Sequence, residues 1–266
     1  MNVLLVAIGT APGPVADALG EVAGVRGVEV AAVPEPAGRD ELDPVLDAVA
    51  GRRLVVAGSA AAVGDVLTRL RRRDELAATP VGVILPDRRR AGLGLLPRLD
   101  SHRPRSSAPE PAEMAGPAGL AATGLPATGL AAAARTAATG IPRPVDLVRD
   151  DHGGVLLDRA ELAGWHGRRL GMRAYADDTR VAEGEVGGLA VVRTGAGVLR
   201  AQVRPVRRWW AAGRSRPPRG PATAGRAVQV SCGDARLTVD GRAHPRPITR
   251  RTWWVEPAGW LLVSQA

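Results

Sequence analysis

The chain contains no lysine: every one of its 36 basic side chains is arginine. A Walker A loop and a pyridoxal-phosphate Schiff base both need lysine, so both chemistries are excluded. Phenylalanine is also missing, and Asn2 is the single asparagine. Cys232 is the one cysteine, which rules out an internal disulfide and a thiolate zinc cluster and suits a reducing cytoplasm. It reads as a buried, inert thiol. His102, His152, His166 and His244 stand far apart with no second ligand at helical spacing, so no metal site is expected. No Gly-x-Ser-x-Gly elbow supports a serine hydrolase. No run of 18 strongly apolar residues is present, and Met1 to Ala7 has no basic n-region, so the chain reads as cytoplasmic, neither exported nor membrane-spanning.

What is there is ordinary for a globular protein: 45% hydrophobic and 24% charged residues over a length of 266. That length accommodates two modest domains. A net charge of +9 suggests a polyanion partner. Codon bias is the stronger explanation, because Ala, Gly, Pro and Arg are in excess while Lys is missing, as in a GC-rich genome of the actinobacterial kind. Nucleic acid is therefore not the expected partner.

The first third alternates short apolar runs with helical patterns. Val3 to Ile8, Val28 to Val33, Leu54 to Ala57 and Val81 to Leu85 read as buried strands. Between them, Val15 to Ala23, Asp40 to about Ala50 and the stripe Ala62, Val63, Val66, Leu67, Leu70 read as helices. This order predicts an α/β fold: an N-terminal open parallel sheet with helices on both faces, and ligands beyond the strands' carboxyl ends. Pro86 to Ala118, rich in Arg, Pro, Ser and Gly, reads as a disordered insertion. A helix from Ala127 to Ala138 follows, closed by Gly140 and Pro142.

Beyond Arg143 come short alternating segments: Val145 to Val148, Val155 to Asp158, Gly188 to Arg193, Leu199 to Arg204, Val228 to Ser231, Leu237 to Val239, Thr252 to Val255 and Trp260 to Val263. With turn signals such as Asp240-Gly241 between them, they predict a C-terminal antiparallel β domain. The expected division is residues 1–142 and 143–266, with the last strand returning to the first domain.

Leu125-Pro126-Ala127, then Ala131 to Arg135, then Gly140-Ile141-Pro142-Arg143-Pro144-Val145-Asp146-Leu147 form one passage across this junction. Near the end, Leu237-Thr238-Val239-Asp240-Gly241-Arg242 precedes Val255-Glu256-Pro257-Ala258-Gly259-Trp260-Leu261-Leu262-Val263. Both passages, in an α/β half followed by a β half, resemble bacterial lipid kinases of the diacylglycerol-kinase type. The family writes them LGLP…A…G…R.VDL and DGE…V.P.AL.VLVP.

The resemblance implies an ATP-dependent kinase that transfers a phosphoryl group to a lipid hydroxyl with Mg2+. Its nucleotide loop, GGDGT after the third strand, matches Ala57-Gly58-Ser59-Ala60-Ala61, so Gly58, Ser59, Ala60 and Ala61 are the candidate nucleotide-binding residues. Asp240, from the DGE motif, is the candidate catalytic acid. The chain departs from the family at several points. Only one glycine of the loop survives, and Ser59 replaces its acid. Arg242 replaces the glutamate of DGE. The GTGN loop has Ala115-Gly116-Pro117-Ala118-Gly119 as its best counterpart and lacks the asparagine. Weak transfer or none is expected, and a pseudokinase that binds a partner or an anionic lipid surface is the alternative.

The bland readings stay open: Gly58-Ser59 as an ordinary strand-to-helix turn, Asp240-Gly241 as a hairpin turn, and Asp146 as a capping residue. Arg207, Arg208, Trp209 and Trp210 interleave cations with amphipathic rings. They read as a contact with the inner membrane face, as a solvated loop, or less readily as a platform for single-stranded nucleic acid.

Overall fold

The computed structural model describes residues 1–85, 127–167, 169–195, 197–206 and 220–265. The Pro86 to Ala118 segment, the Ala115 to Gly119 loop, Leu125-Pro126 and the Arg207 to Trp210 cluster lie outside the described residues.

The parallel part arises as its apolar runs dictate. β1 (Asn2–Ile8) has Leu4, Val6 and Ile8 in one core and Val3 and Leu5 in another, as period-2 alternation requires of a strand covered on both faces. β2 (Gly27–Val33) and β3 (Arg53–Ala57) flank it, and β4 (Val81–Ile84) lies beside β3, all parallel. Helices α2 (Arg39–Asp47) and α3 (Ala60–Arg72) seal the Leu4 face through Leu42, Leu46, Val63, Val66, Leu67 and Leu70. The opposite face is sealed by α1 (Gly13–Gly20) and α4 (Ala127–Thr139). α4 lies so close on β4 that a Cβ at Gly82 would come within 2.5 Å of the Ala137 carbonyl, so only glycine fits there.

The rest of the described chain is antiparallel. It comprises β5 (Ile141–Asp150), β6 (Val155–Leu156), β7 (Arg159–Gly164), β8 (Leu170–Ala176), β9 (Thr179–Val186), β10 (Gly188–Arg193), β11 (Leu199–Arg204), β12 (Ala222–Gly225), β13 (Ala227–Val239), β14 (Arg242–Ala243) and β15 (Ile248–Ser264). Their buried faces enclose a third core of Leu162, Leu170, Val191, Leu199, Val228, Leu237 and Trp253. Thus an α/β half with a parallel sheet and a β-rich half are present, as the patterning predicts.

β15 ties the halves together. Its first part pairs with β13, a bulge falls between Glu256 and Trp260, and its last part lies parallel to β4 at Leu262. β5 runs antiparallel to it on both sides of the bulge. Trp253 is fully buried in the β core and Trp260 fully buried against the α/β sheet, so one strand anchors an indole in each half. Trp254 points the other way, with the Arg149 guanidinium 4.8 Å from its ring centroid.

Candidate functional site

Strand order fixes where a ligand pocket belongs. In the order β4-β3-β1-β2 the chain moves outward from β1 to β2 and then, with β3, to the other side of β1. The reversal falls between β1 and β3, and at such a switch point the loops leaving the two carboxyl ends part and leave a crevice. Gly9 and Gly58 stand at those two ends. A Cβ on Gly58 would lie 2.7 Å from the Ile8 carbonyl and 3.1 Å from the Ala62 methyl, so packing alone already demands glycine there.

Ser59 follows as the N-cap of α3, its Oγ accepting from the Ala62 N–H at 3.1 Å. The same hydroxyl donates to Glu35 Oε1 at 2.7 Å. Glu35 belongs to the loop after β2, and its carboxylate lies over Gly9, where Oε2 would be 2.6 Å from a Cβ on that glycine. Ala60 and Ala61 form the first turn of α3, and Ala61 is buried.

The β13–β14 hairpin meets this corner from the β-rich half. Arg242 Nη1 donates to both carboxylate oxygens of Asp65, on α3, at 2.8 and 2.6 Å. Its Nη2 donates to Glu35 Oε1 at 2.8 Å. Among the described residues these are the only salt bridges joining residues before 86 to residues after 126. Burial pushes the Glu35 carboxyl upward, but hydrogen bonds from Arg242 and Ser59 hold it below its ordinary range. Asp65 is pushed above its ordinary value by burial, which Arg242 only partly offsets.

Gly58 and Ser59 are therefore linked to the Asp240-Gly241-Arg242 turn, with Glu35 and Arg242 as the link. The Asp240 carboxylate itself turns away from this corner. Its Oδ2 accepts from the Leu157 N–H at 2.9 Å, and its Oδ1 from the Asp158 and Arg159 N–H groups at 2.8 and 3.0 Å. Burial pushes its acid up to about 6, against the pull of those three donors. The nearby Asp158 carboxyl is likewise raised by burial. Asp146 accepts from the Ala258 N–H at 3.1 Å, across the bulge of β15. Arg193, at the end of β10, is buried, and its Nη1 has no hydrogen-bond partner.

Sequence reasoning missed Glu35 and Asp65. The signal that could have found them was the charge reversal at Arg242, since a half-buried arginine demands carboxylate partners.

No protein-family model matches the chain, and no curated protein matches it. Solved structures do. Crystal structures assigned as diacylglycerol kinases from Bacillus anthracis str. Sterne align with TM-scores of 0.62 and 0.58, each at 10% identity over 99% of this chain and 97% of theirs. An NAD kinase from Archaeoglobus fulgidus in complex with ATP aligns with a TM-score of 0.51 at 13% identity, over 100% of this chain and 94% of that one. The likeness is one of fold. It covers both halves, so the α/β sheet and the β-rich half belong to an architecture shared with diacylglycerol kinases and NAD kinases.

The corner is closed by a carboxylate of the chain itself. Glu35 fills the space over Gly9, and its Oε1 takes both the Ser59 hydroxyl and Arg242 Nη2. The described residues contain no group of three His, Cys, Asp or Glu side chains placed to hold a metal ion. Among the described helices none is long and apolar enough to cross a membrane.

Proposed function

We propose that the chain is a divergent lipid kinase of the diacylglycerol-kinase type, which uses ATP to phosphorylate a hydroxyl of a membrane lipid and does so slowly. The observation that carries this reading is the corner at the switch point, where Gly58, Ser59 and the start of α3 face Arg242 from the other half. A hydroxyl, a guanidinium and the first turn of a helix are donors that suit a phosphate. Ser59 and Arg242 would contact it directly, with Ala60 and Ala61 offering backbone N–H groups.

Slow turnover follows from two features. Arg242 puts a cation where an acidic partner for Asp240 would serve as base, and both Asp240 oxygens already accept N–H groups. Neither leaves a carboxylate ready to take a proton from a lipid hydroxyl. Purified protein given labelled ATP, Mg2+ and mixed lipid vesicles is expected to label lipid slowly, and the absence of labelled lipid across several hydroxyl-bearing acceptors would remove the transferase reading.

A second reading is favoured by the ion-pair closure of the corner: a pseudokinase that keeps the architecture and acts through a protein partner or an anionic lipid surface. Binding stabilises a folded protein by mass action, so a rise of several degrees in Tm with ATP and Mg2+ would eliminate the simple form of this alternative.

A further inference from the structure

We infer that Glu35 is a built-in anion occupying the place of a ligand phosphate, and that Arg242 exchanges this carboxylate for the phosphate when a phosphorylated ligand binds. The inference rests on reading the switch-point corner as the nucleotide site and identifies what controls access to it.

Three features carry it. First, a single oxygen, Glu35 Oε1, receives the Ser59 hydroxyl at 2.7 Å and Arg242 Nη2 at 2.8 Å, one donor from each half of the molecule. A phosphate oxygen at that point would take the same two donors, and the guanidinium fork suits phosphate as well as carboxylate.

Second, the two ends of the Arg242 fork are held differently. Nη1 is gripped by both oxygens of Asp65, on a helix, whereas Nη2 meets only Glu35, on a loop between Pro34 and Pro36. Releasing Glu35 therefore leaves the guanidinium anchored and aimed at the corner. Third, the Glu35 side chain is 31% exposed, so its carboxylate can swing into water, and Gly9 beside it carries no side chain to fill the place the carboxylate leaves.

The exchange needs no covalent step: one carboxylate leaves the two donors and one phosphate oxygen takes them. While Glu35 stays, its charge opposes any phosphate that approaches. At the effective dielectric of a protein surface such repulsion lowers affinity more than about tenfold. A wild-type chain that binds phosphate ligands weakly, and a Glu35 variant that binds them well, is the consequence.

Calorimetric titration of inorganic pyrophosphate and of ATP with Mg2+ into the full chain tests this. Glu35→Ala and the conservative Glu35→Gln should each bind pyrophosphate at least about tenfold more tightly than wild type. The gain should vanish in the double variant Glu35→Ala/Arg242→Ala. Thermal melts within a few degrees of wild type identify the folded variants, and Glu35→Gln serves where Glu35→Ala does not fold. Unchanged pyrophosphate affinity in a folded Glu35 variant, or a gain that survives loss of Arg242, overturns the exchange.

The two ligands separate this failure from that of the nucleotide reading. Pyrophosphate that gains while ATP binds no variant sinks the nucleotide reading and leaves the exchange intact. ATP that binds wild type and Glu35→Ala equally well does the reverse.

Discussion

Two hairpins of the β-rich half are built on the same device. β8 and β9 are joined by Asp177-Asp178, and β13 and β14 by Asp240-Gly241, each a two-residue loop. Asp177 and Asp240 both adopt left-handed backbone, with φ of +49 and +50. Each uses its carboxylate to accept N–H groups from the start of another strand: Arg226 and Ala227 for Asp177, and Leu157, Asp158 and Arg159 for Asp240. Each also returns its own N–H to a carbonyl of that segment, Ala227 or Arg159. An aspartate in this geometry serves a strand junction whether or not it lies near the crevice. What sets the second hairpin apart is Arg242 two residues on, which reaches the α/β half. Aspartate and glycine at 240 and 241 therefore say little about chemistry, and the substitution beside them says more.

The largest expected effect comes from removing the acceptor at each hairpin. Asp177 is exposed, so water can replace its carboxylate, whereas Asp240 is half-buried and serves three donors. Asp240→Ala should cost about 3 kcal/mol of unfolding free energy and Asp177→Ala about 1 kcal/mol, because Asp240 serves more donors, that of buried Leu157 among them, and a donor shielded from water loses its desolvation penalty when its acceptor goes. Urea unfolding of the two variants measures the difference. Equal losses would mean that the interior position of Asp240 adds nothing, and the distinction between the hairpins would rest on Arg242 alone.

A smaller effect separates them by pH. An acid raised in the folded state from 3.8 to about 6 keeps its proton there while the unfolded chain has lost it. The folded state then binds more protons between those values, so the Asp240 contribution is complete below pH ~4 and is lost as the pH climbs to about 6. Asp240→Asn cannot titrate. The stability of wild type minus that of Asp240→Asn should therefore fall from pH 4 to pH 6 and level off above. A difference that rises across that window would show that the three N–H donors outweigh burial.

How far such features can be read from sequence depends on how local their causes are. The parallel strands were legible because a strand buried on both faces must be apolar throughout, as Val3 to Ile8 and Leu54 to Ala57 are. β10 and β11 coincide with the expected segments Gly188 to Arg193 and Leu199 to Arg204.

Strands β7, β8, β9 and β12 were not expected, because their inward positions are largely small. In β8 the buried face is Leu170, Met172, Ala174 and Ala176, and the alternation fades where alanine replaces larger apolar side chains. The segments Val228 to Ser231 and Leu237 to Val239 proved to be one strand, β13, interrupted by an irregularity between Ser231 and Ala235; β15 likewise unites two expected segments across its bulge. Bulges look like turns in a sequence because both break the alternation.

At the site, Gly58-Ser59 was legible as a strand-to-helix turn, and the structure adds that Ser59 caps the helix. Glu35 and Asp65 were not legible. A charged residue on a loop or a helix face carries no local signature, and the partner of Asp65 lies 177 positions away.

The smallest effect on folding is expected from Arg242 itself. Its side chain is 29% exposed, and Glu35 and Asp65 are 31% and 24% exposed, so water screens the clasp and retakes the carboxylates when it opens. Partly exposed ion pairs of this kind contribute under about 1 kcal/mol. Arg242→Ala should therefore lower unfolding free energy by less than Asp177→Ala does, although Asp65 loses its only ion-pair partner among the described residues. That ordering matters for the crevice. The halves are already joined covalently and by the β5–β15 ribbon with its two buried indoles, so the clasp is free to open without loosening the fold. A loss above about 2 kcal/mol in Arg242→Ala, well beyond an exposed pair, would make the clasp a strut between the halves, and Glu35 could then not leave it cheaply enough to admit a phosphate.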